Sequence, residues 1–180
     1  MTDEITSLKE TSIKNFNKNR YQQALEGFQA CLKSYEELGD VLSVAEMRNN
    51  ICVAYVKLKN GPQALAAVQD TDQIFLDHGD RKRQAMALAN TASALELMDR
   101  NDEALEKYQL SLDIFKEIDE KEMRTSVLRR VADLQLKTKR SLQAIASMEA
   151  AYDQGENSSI KNSFFRTILS TIRKKLLKQN

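Results

Sequence analysis

The 180-residue chain is poor in turn-forming and chemically reactive residues, with one proline, five glycines, two cysteines, one histidine and no tryptophan. So few glycines and prolines exclude all-β and doubly wound folds, which need many tight turns, and leave long helices. The cysteines, Cys31 and Cys52, lack C-x-x-C spacing, and His78 has no second histidine to form a metal pair. Both thiols are expected to be reduced, small core residues, with a disulfide or redox role as the alternative. Neither sign of charge dominates. With 27 bases against 26 acids, no polyanion partner such as nucleic acid is called for. No apolar run approaches the length of a membrane span, and the chain starts with Asp3 and Glu4 where a signal peptide needs bases, so a cytoplasmic protein is expected. Phosphate loops, nucleophile elbows and paired-carboxylate motifs are also missing. Asp99, Asp102, Glu103 and Glu106 read as helix-start charges on a solvated face. No catalytic residue, metal, cofactor or small-molecule substrate is expected.

What the chain does have is a repeat. Leu38-Gly39-Asp40 returns forty residues later as His78-Gly79-Asp80, and Ile118-Asp119-Glu120 falls at the next interval. In that frame the twenty-fourth place reads Ala24, Ala64, Ala104 and Ala144, followed by Leu25, Leu65, Leu105 and Ile145. Bulky residues occupy the twenty-eighth place (Phe28, Val68, Tyr108, Met148). Small ones occupy the thirty-first (Cys31, Thr71, Ser111, Ala151) and the twelfth (Ser12, Cys52, Ala92, Ala132). Small side chains at fixed places let helices approach closely while large ones fill the space beside them.

Each unit holds two apolar runs at helical spacing, broken near the twentieth place at Asn19-Arg20, Asn60-Gly61-Pro62, Arg100-Asn101-Asp102 and Arg140-Ser141. Pro62 suits the first turn of a helix, Asn101 and Ser141 are candidate caps, and Gly39, Gly79 and Gly155 suit helix ends. Each unit is therefore a helical hairpin.

Small at twelve, Ala at twenty-four, bulky at twenty-eight and small at thirty-one resembles the tetratricopeptide repeat (TPR). The 40-residue spacing and the Gly79-Asp80-Arg81 junction are similar to the long-helix subtype of spindle-orientation adaptors, as is Asn50-Ile51-Cys52-Val53-Ala54-Tyr55. The resemblance implies an all-α, right-handed α-solenoid in a single domain over 1–180. Four hairpins, 1–40, 41–80, 81–120 and 121–157, would be followed by a capping helix at 158–180. It also implies a non-catalytic adaptor that binds a peptide or partner protein in a concave groove lined by the first helix of each hairpin. In frame, that groove holds Lys9, Ile13, Phe16 and Asn17, then Asn49, Asn50 and Val53, then Met86, Asn90, Ser93 and Leu97, then Arg129, Arg130 and Asp133.

Asn50 and Asn90 share a place in successive units. Their amides could satisfy the backbone of an extended peptide, or they could serve a contact between helices. The family's five-residue clamp for a C-terminal carboxylate is not reproduced. Lys9 and Asn50 match it, but Ile13, Met86 and Asn90 stand where Asn, Lys and Arg are required. The other role open to such a repeat is a structural or assembly subunit that self-associates, or docks through its convex face or terminal repeat. The sequence leaves the oligomeric state open.

The charge balance conceals an asymmetry, because residues 161–180 carry six of the bases and none of the acids. Ile160, Phe164, Ile168, Ile172 and Leu176 recur every four residues beside them. A solenoid needs a final helix that is apolar on one side and polar on the other, so a capping role is expected. Attachment to anionic lipid, nucleic acid or an acidic partner is the alternative.

Overall fold

The computed structural model describes residues 2–153, which form nine α-helices and no strand. The expected capping helix 158–180 and Gly155 lie outside the described residues. The helices are α1 (Thr2–Asn17), α2 (Tyr21–Leu38), α3 (Val41–Lys57), α4 (Gly61–Val68), α5 (Thr71–Asp77), α6 (Arg81–Leu97), α7 (Asn101–Glu117), α8 (Lys121–Lys137) and α9 (Ser141–Asp153). They make four hairpins, the second of which has its returning helix divided into α4 and α5. The chain divides into two compact units, Met1–Lys107 and Tyr108–Asn180, with the boundary inside α7.

Seven junctions share one backbone solution. A residue in the left-handed region stands at 19, 39, 59, 79, 99, 119 and 139, with φ between 55° and 72°. At each, its N–H donates to the carbonyl three residues back, and the next N–H donates to the carbonyl five residues back, as in Gly39 to Glu36 and Asp40 to Tyr35. This is the Schellman arrangement, which satisfies carbonyls that a helix end otherwise leaves unpaired. The repeated Gly-Asp pairs combine two functions. Gly39 and Gly79 adopt φ of 68° and 72°, conformations that burden a Cβ, and close the preceding helix. Asp40 and Asp80 then cap the next one, accepting bonds from the Ser43 and Arg83 N–H groups at 3.0 and 2.9 Å.

At the other junctions Asn19, Lys59, Asp99, Asp119 and Lys139 take the left-handed position. The expected capping by Asn101 is not made. Asn101 is already the first residue of α7, and its Oδ1 is buried without a hydrogen-bond partner. Ser141 likewise opens α9 instead of preceding it.

The small-residue columns are buried as their spacing predicts. Ala24, Ala64, Ala104 and Ala144 have no exposed surface, nor do Cys31, Thr71 and Ser111, and Ser12, Cys52, Ala92 and Ala132 are at most 1% exposed. In the first unit, α1 packs on α2, α2 on α3, and α3 on α4, α5 and α6. One cluster joins Ile5, Leu25, Phe28, Met47 and Ile51, and another sets Phe75 between Ala45 and Ala87. Burying a side chain such as Phe75 contributes about 1.5–3 kcal/mol. A close approach is made between α1 and α2. A Cβ placed on Gly27 would lie 2.0 Å from Ser12 Oγ, so glycine is what permits this contact. Both cysteines are buried and free.

The interruption between α4 and α5 was not anticipated by the repeat frame. Asp70 turns left-handed at φ 59°, and Thr71 Oγ1 donates to the Val68 carbonyl at 2.8 Å. From α3, Arg48 reaches across to the carbonyls thus freed, with Nε donating to Ala67 O at 3.1 Å and Nη2 to Gln69 O at 2.8 Å. A charged fork on two backbone oxygens compensates for helix bonds the break removes.

In the second unit α8 packs on α9, with Ser147 Oγ donating to Gln135 Oε1 at 2.8 Å. Among its described residues, Tyr108, Phe115 and Leu134 are the largest fully buried side chains.

Candidate functional site

The first helix of each hairpin positions the candidate residues, and within the first unit these helices are α1, α3 and α6. A row of charge crosses them. Lys9 Nζ pairs with Glu46 Oε1 at 2.5 Å, and Arg83 Nη2 lies 4.0 Å from Glu46 Oε2 while its Nε lies 3.5 Å from Asp80 Oδ2. Lys9, Glu46 and Arg83 stand at places nine, six and three of their repeats. Packed helices cross at an angle, so a row of neighbours runs diagonally over them and not along one fixed place. Arg83 escaped sequence reasoning for that reason. The row is internally neutralised in large part, with the Lys9 and Glu46 side chains each 25% exposed.

One turn beyond the charges, at i+3 or i+4 and therefore on the same side of each helix, come Ile13 on α1, Asn50 on α3 and Met86 on α6. Ile13 and Met86 are 40% and 38% exposed, high for large apolar side chains, and Asn50 is half-buried. Val53, one further turn along α3, is half-buried too. An extended or helical partner segment laid here would meet apolar contacts at Ile13 and Met86 beside an amide and a balanced charge row.

Other expected residues serve the fold. Asn90 Nδ2 donates to Asn49 Oδ1 at 3.0 Å, and Asn49 Nδ2 donates to Ala45 O at 3.0 Å, so this amide pair ties α6 to α3. Asn49 is buried, and the Asn90 carbonyl lies 3.7 Å from Cys52 Sγ. Burial pushes the Cys52 thiol up to about 12, and it raises that of Cys31 as well, so neither thiol is activated. Ser93 is buried, with its hydroxyl turned back to Ala89 O at 2.9 Å. Phe16 stacks edge-on against Tyr21 at 5.2 Å and packs on the first core cluster. Leu97 is half-buried beside the start of α4, and Asn17 is exposed at the end of α1.

In the second unit Arg129 and Asp133 are exposed on α8. Arg130 Nε donates to the Tyr108 hydroxyl at 2.8 Å, and its guanidinium lies 6.0 Å from the ring centroid. His78 is exposed at the end of α5, with Nδ1 2.8 Å from the Ile74 carbonyl. Among the described residues no cluster of three potential metal ligands occurs, and no helix is long and apolar enough to cross a membrane.

Comparison with known proteins bears on the family and the fold. The family model of the soluble NSF attachment protein, SNAP, matches residues 14–175. No curated protein matches the sequence. Among solved structures, aspartyl phosphate phosphatase F from Bacillus subtilis is similar with a TM-score of 0.74 at 9% identity, over 87% of this chain and 42% of that one. This chain thus spans less than half the length of that protein. BtubC from P. vanneervenii gives a TM-score of 0.69 at 14% identity, covering 96% of this chain and 72% of its own. A Podosopora anserina protein with nearly identical TPR-like repeats, described as a kinesin light chain, gives 0.58 at 13% identity over 97% of both chains. At these identities the likeness shows the fold alone, an all-α solenoid of TPR-like repeats.

Proposed function

The chain belongs to the soluble NSF attachment protein family, and from that membership we propose that it is a non-catalytic adaptor holding a partner protein against the face of α1, α3 and α6. Repeats of this fold typically mediate contacts between proteins. The observation that carries the reading is the exposure of Ile13 and Met86 one turn from the charge row Lys9, Glu46 and Arg83. Partner side chains would bury against the two apolar residues, Asn50 would order a partner backbone, and the balanced row would select a segment without strong net charge. Attachment to NSF is what the family's name states of its members, so NSF is the first partner to test on this chain.

Purified NSF and a native extract should both be presented to the immobilised wild-type chain and to the Ile13→Glu, Met86→Glu variant. A specific partner held by the wild type should be lost or at least about tenfold weaker on the variant, since desolvated apolar anchors dominate such interfaces. The helical circular dichroism should stay unchanged. Equal retention by both chains would reject this face.

A second reading is self-association, supported by Leu38 and Val41, which are 44% and 50% exposed on either side of one junction. Sedimentation of a monomer at high concentration would reject it.

A further inference from the structure

Antiparallel packing gives the first unit two ends. The corners at 19, 59 and 99 lie at one of them, and the start of α1 with the corners at 39 and 79 lies at the other, about 25 Å away along the helices. Charge follows a pattern over these ends. Residues 14–20 carry Lys14, Lys18 and Arg20, and residues 57–60 carry Lys57 and Lys59, with no acid in either stretch. All five bases are exposed, and among the described residues none is held in an ion pair. The third corner reverses the sign, with Glu96, Asp99, Asp102 and Glu103 against Arg100. At the opposite end, the start of α1 and the corner at 39 carry Asp3, Glu4, Glu36, Glu37 and Asp40, all exposed. Of the bases near them, Lys9 is engaged by Glu46 and Lys33 lies one turn inside Glu37. The corner at 79 is weakly positive, with Arg81, Lys82 and Arg83 against Asp77 and Asp80.

In order across the unit, one end therefore reads positive, positive, negative, and the other negative, negative, positive. A displacement along the helix axes lays every sign on its opposite. Either two-fold pairing of an end with itself sets like charges together at the middle place. Both ends also expose apolar side chains. Leu58, between Lys57 and Lys59, is 37% exposed, and Leu38 and Val41, on either side of the corner at 39, are 44% and 50% exposed.

We propose that copies of this chain associate head to tail, with the basic tips at 14–20 and 57–60 of one copy seated on the acidic end formed by the start of α1 and the corner at 39 of the next. The inference rests on the self-association reading and names its two surfaces. Opposite charge selects the register, and Leu58 of one copy is buried against Leu38 and Val41 of the other. The contact is heterologous, so each pair keeps one free end of each kind.

Sedimentation of the full chain should show its weight-average mass climbing with concentration at about 0.02 M salt and falling back toward the monomer at about 0.5 M, where screening is short-ranged. A tip variant, Lys18→Glu, Arg20→Glu, Lys57→Glu, and an end variant, Asp3→Lys, Glu36→Lys, Glu37→Lys, should each self-associate at least about tenfold more weakly. Mixed in equal amounts, the two should form a one-to-one pair, because the first keeps the native acidic end and the second keeps the native basic tips. All six positions are exposed, so circular dichroism of each variant should match the wild type. A wild type that stays monomeric at low salt would overturn both this inference and the self-association reading, and would leave the basic tips to an acidic partner of another kind. Association that persists in either variant alone, or that salt does not weaken, would leave self-association standing and overturn the end-to-end contact. Variants that stay apart when mixed would overturn it as well.

Discussion

Replacing Gly27 with alanine opposes two well-separated effects. In an exposed helix the change is favourable by about 1 kcal/mol, because glycine is the poorer helix former. Here the added Cβ would lie 2.0 Å from Ser12 Oγ, 3.1 Å from Ser12 Cβ and 3.8 Å from Ser12 Cα. Ser12 is 1% exposed, and its hydroxyl donates to the Leu8 carbonyl at 2.7 Å. The oxygen cannot turn aside without giving up that bond, worth about 1 kcal/mol, and overpacking a close contact adds about 1–3 kcal/mol. The expected net effect is a loss of about 1–3 kcal/mol.

Ser12→Ala removes the oxygen and leaves the 3.1 Å contact, which a shift of a few tenths of an ångström relieves. In that background Gly27→Ala should become neutral or stabilising, so the double-mutant cycle should show coupling of about 2 kcal/mol. Urea unfolding followed by far-ultraviolet circular dichroism measures all four chains, provided the slopes agree. Stabilisation by Gly27→Ala in the wild-type background, or additive effects across the cycle, would refute the reasoning.

Three further outcomes follow from the geometry. Bonds from the Ser43 N–H and hydroxyl hold the Asp40 carboxyl below its ordinary range, so its stabilising effect is present above the ordinary carboxylate pKa and is lost as pH falls through the lowered value. Asp40→Ala should cost about 1 kcal/mol near neutral pH, with the difference from wild type shrinking in acid, whereas Asp40→Asn should keep the cap; a pH-independent Ala effect in urea unfolding would contradict this. Arg48→Ala should cost about 1–2 kcal/mol and speed hydrogen exchange in peptides covering 61–77, leaving α1 and α2 protected as before; unchanged exchange there would show that the break does not need its clasp. Cys52, with its thiol pushed up to about 12 by burial, should resist a disulfide reagent in the folded chain at mildly alkaline pH and react once unfolded; rapid native labelling would contradict its burial.

Much of the fold was legible because it depends on volume at fixed places. Ala24 and its equivalents sit where two helix backbones meet, and only a small residue fits there whatever its partners are. Gly39-Asp40 and Gly79-Asp80 were legible for a related reason, since a left-handed residue and a capping carboxylate are local demands. The break at Asp70 was not, because it depends on Arg48, twenty-two positions earlier, meeting carbonyls that only the folded hairpin brings near. Lys59 and Lys139 adopt left-handed backbone without any compositional sign of it. The candidate face was half legible. Ile13, Asn50 and Met86 share a side of their helices as their places in the repeat predict, Asn90 takes the helix-to-helix contact that its place left open beside a peptide contact, and Arg83 has no sign in the frame because contact rows run obliquely.

The uniform junctions bear on how such a chain can change length. The connector from outgoing to returning helix, at 19, 59, 99 and 139, uses the same pair of hydrogen bonds as the connector between hairpins at 39, 79 and 119. The closing pair is thus common to both kinds of corner, while the Arg81 and Lys121 N–H groups add a bond to the Gly79 and Asp119 carbonyls at two of the corners between hairpins. The smallest unit that this pair closes is one helix with its corner. A gene encoding this chain could be lengthened or shortened by such modules without inventing a new turn, so long as the helices on either side of the splice still presented matching small and bulky columns.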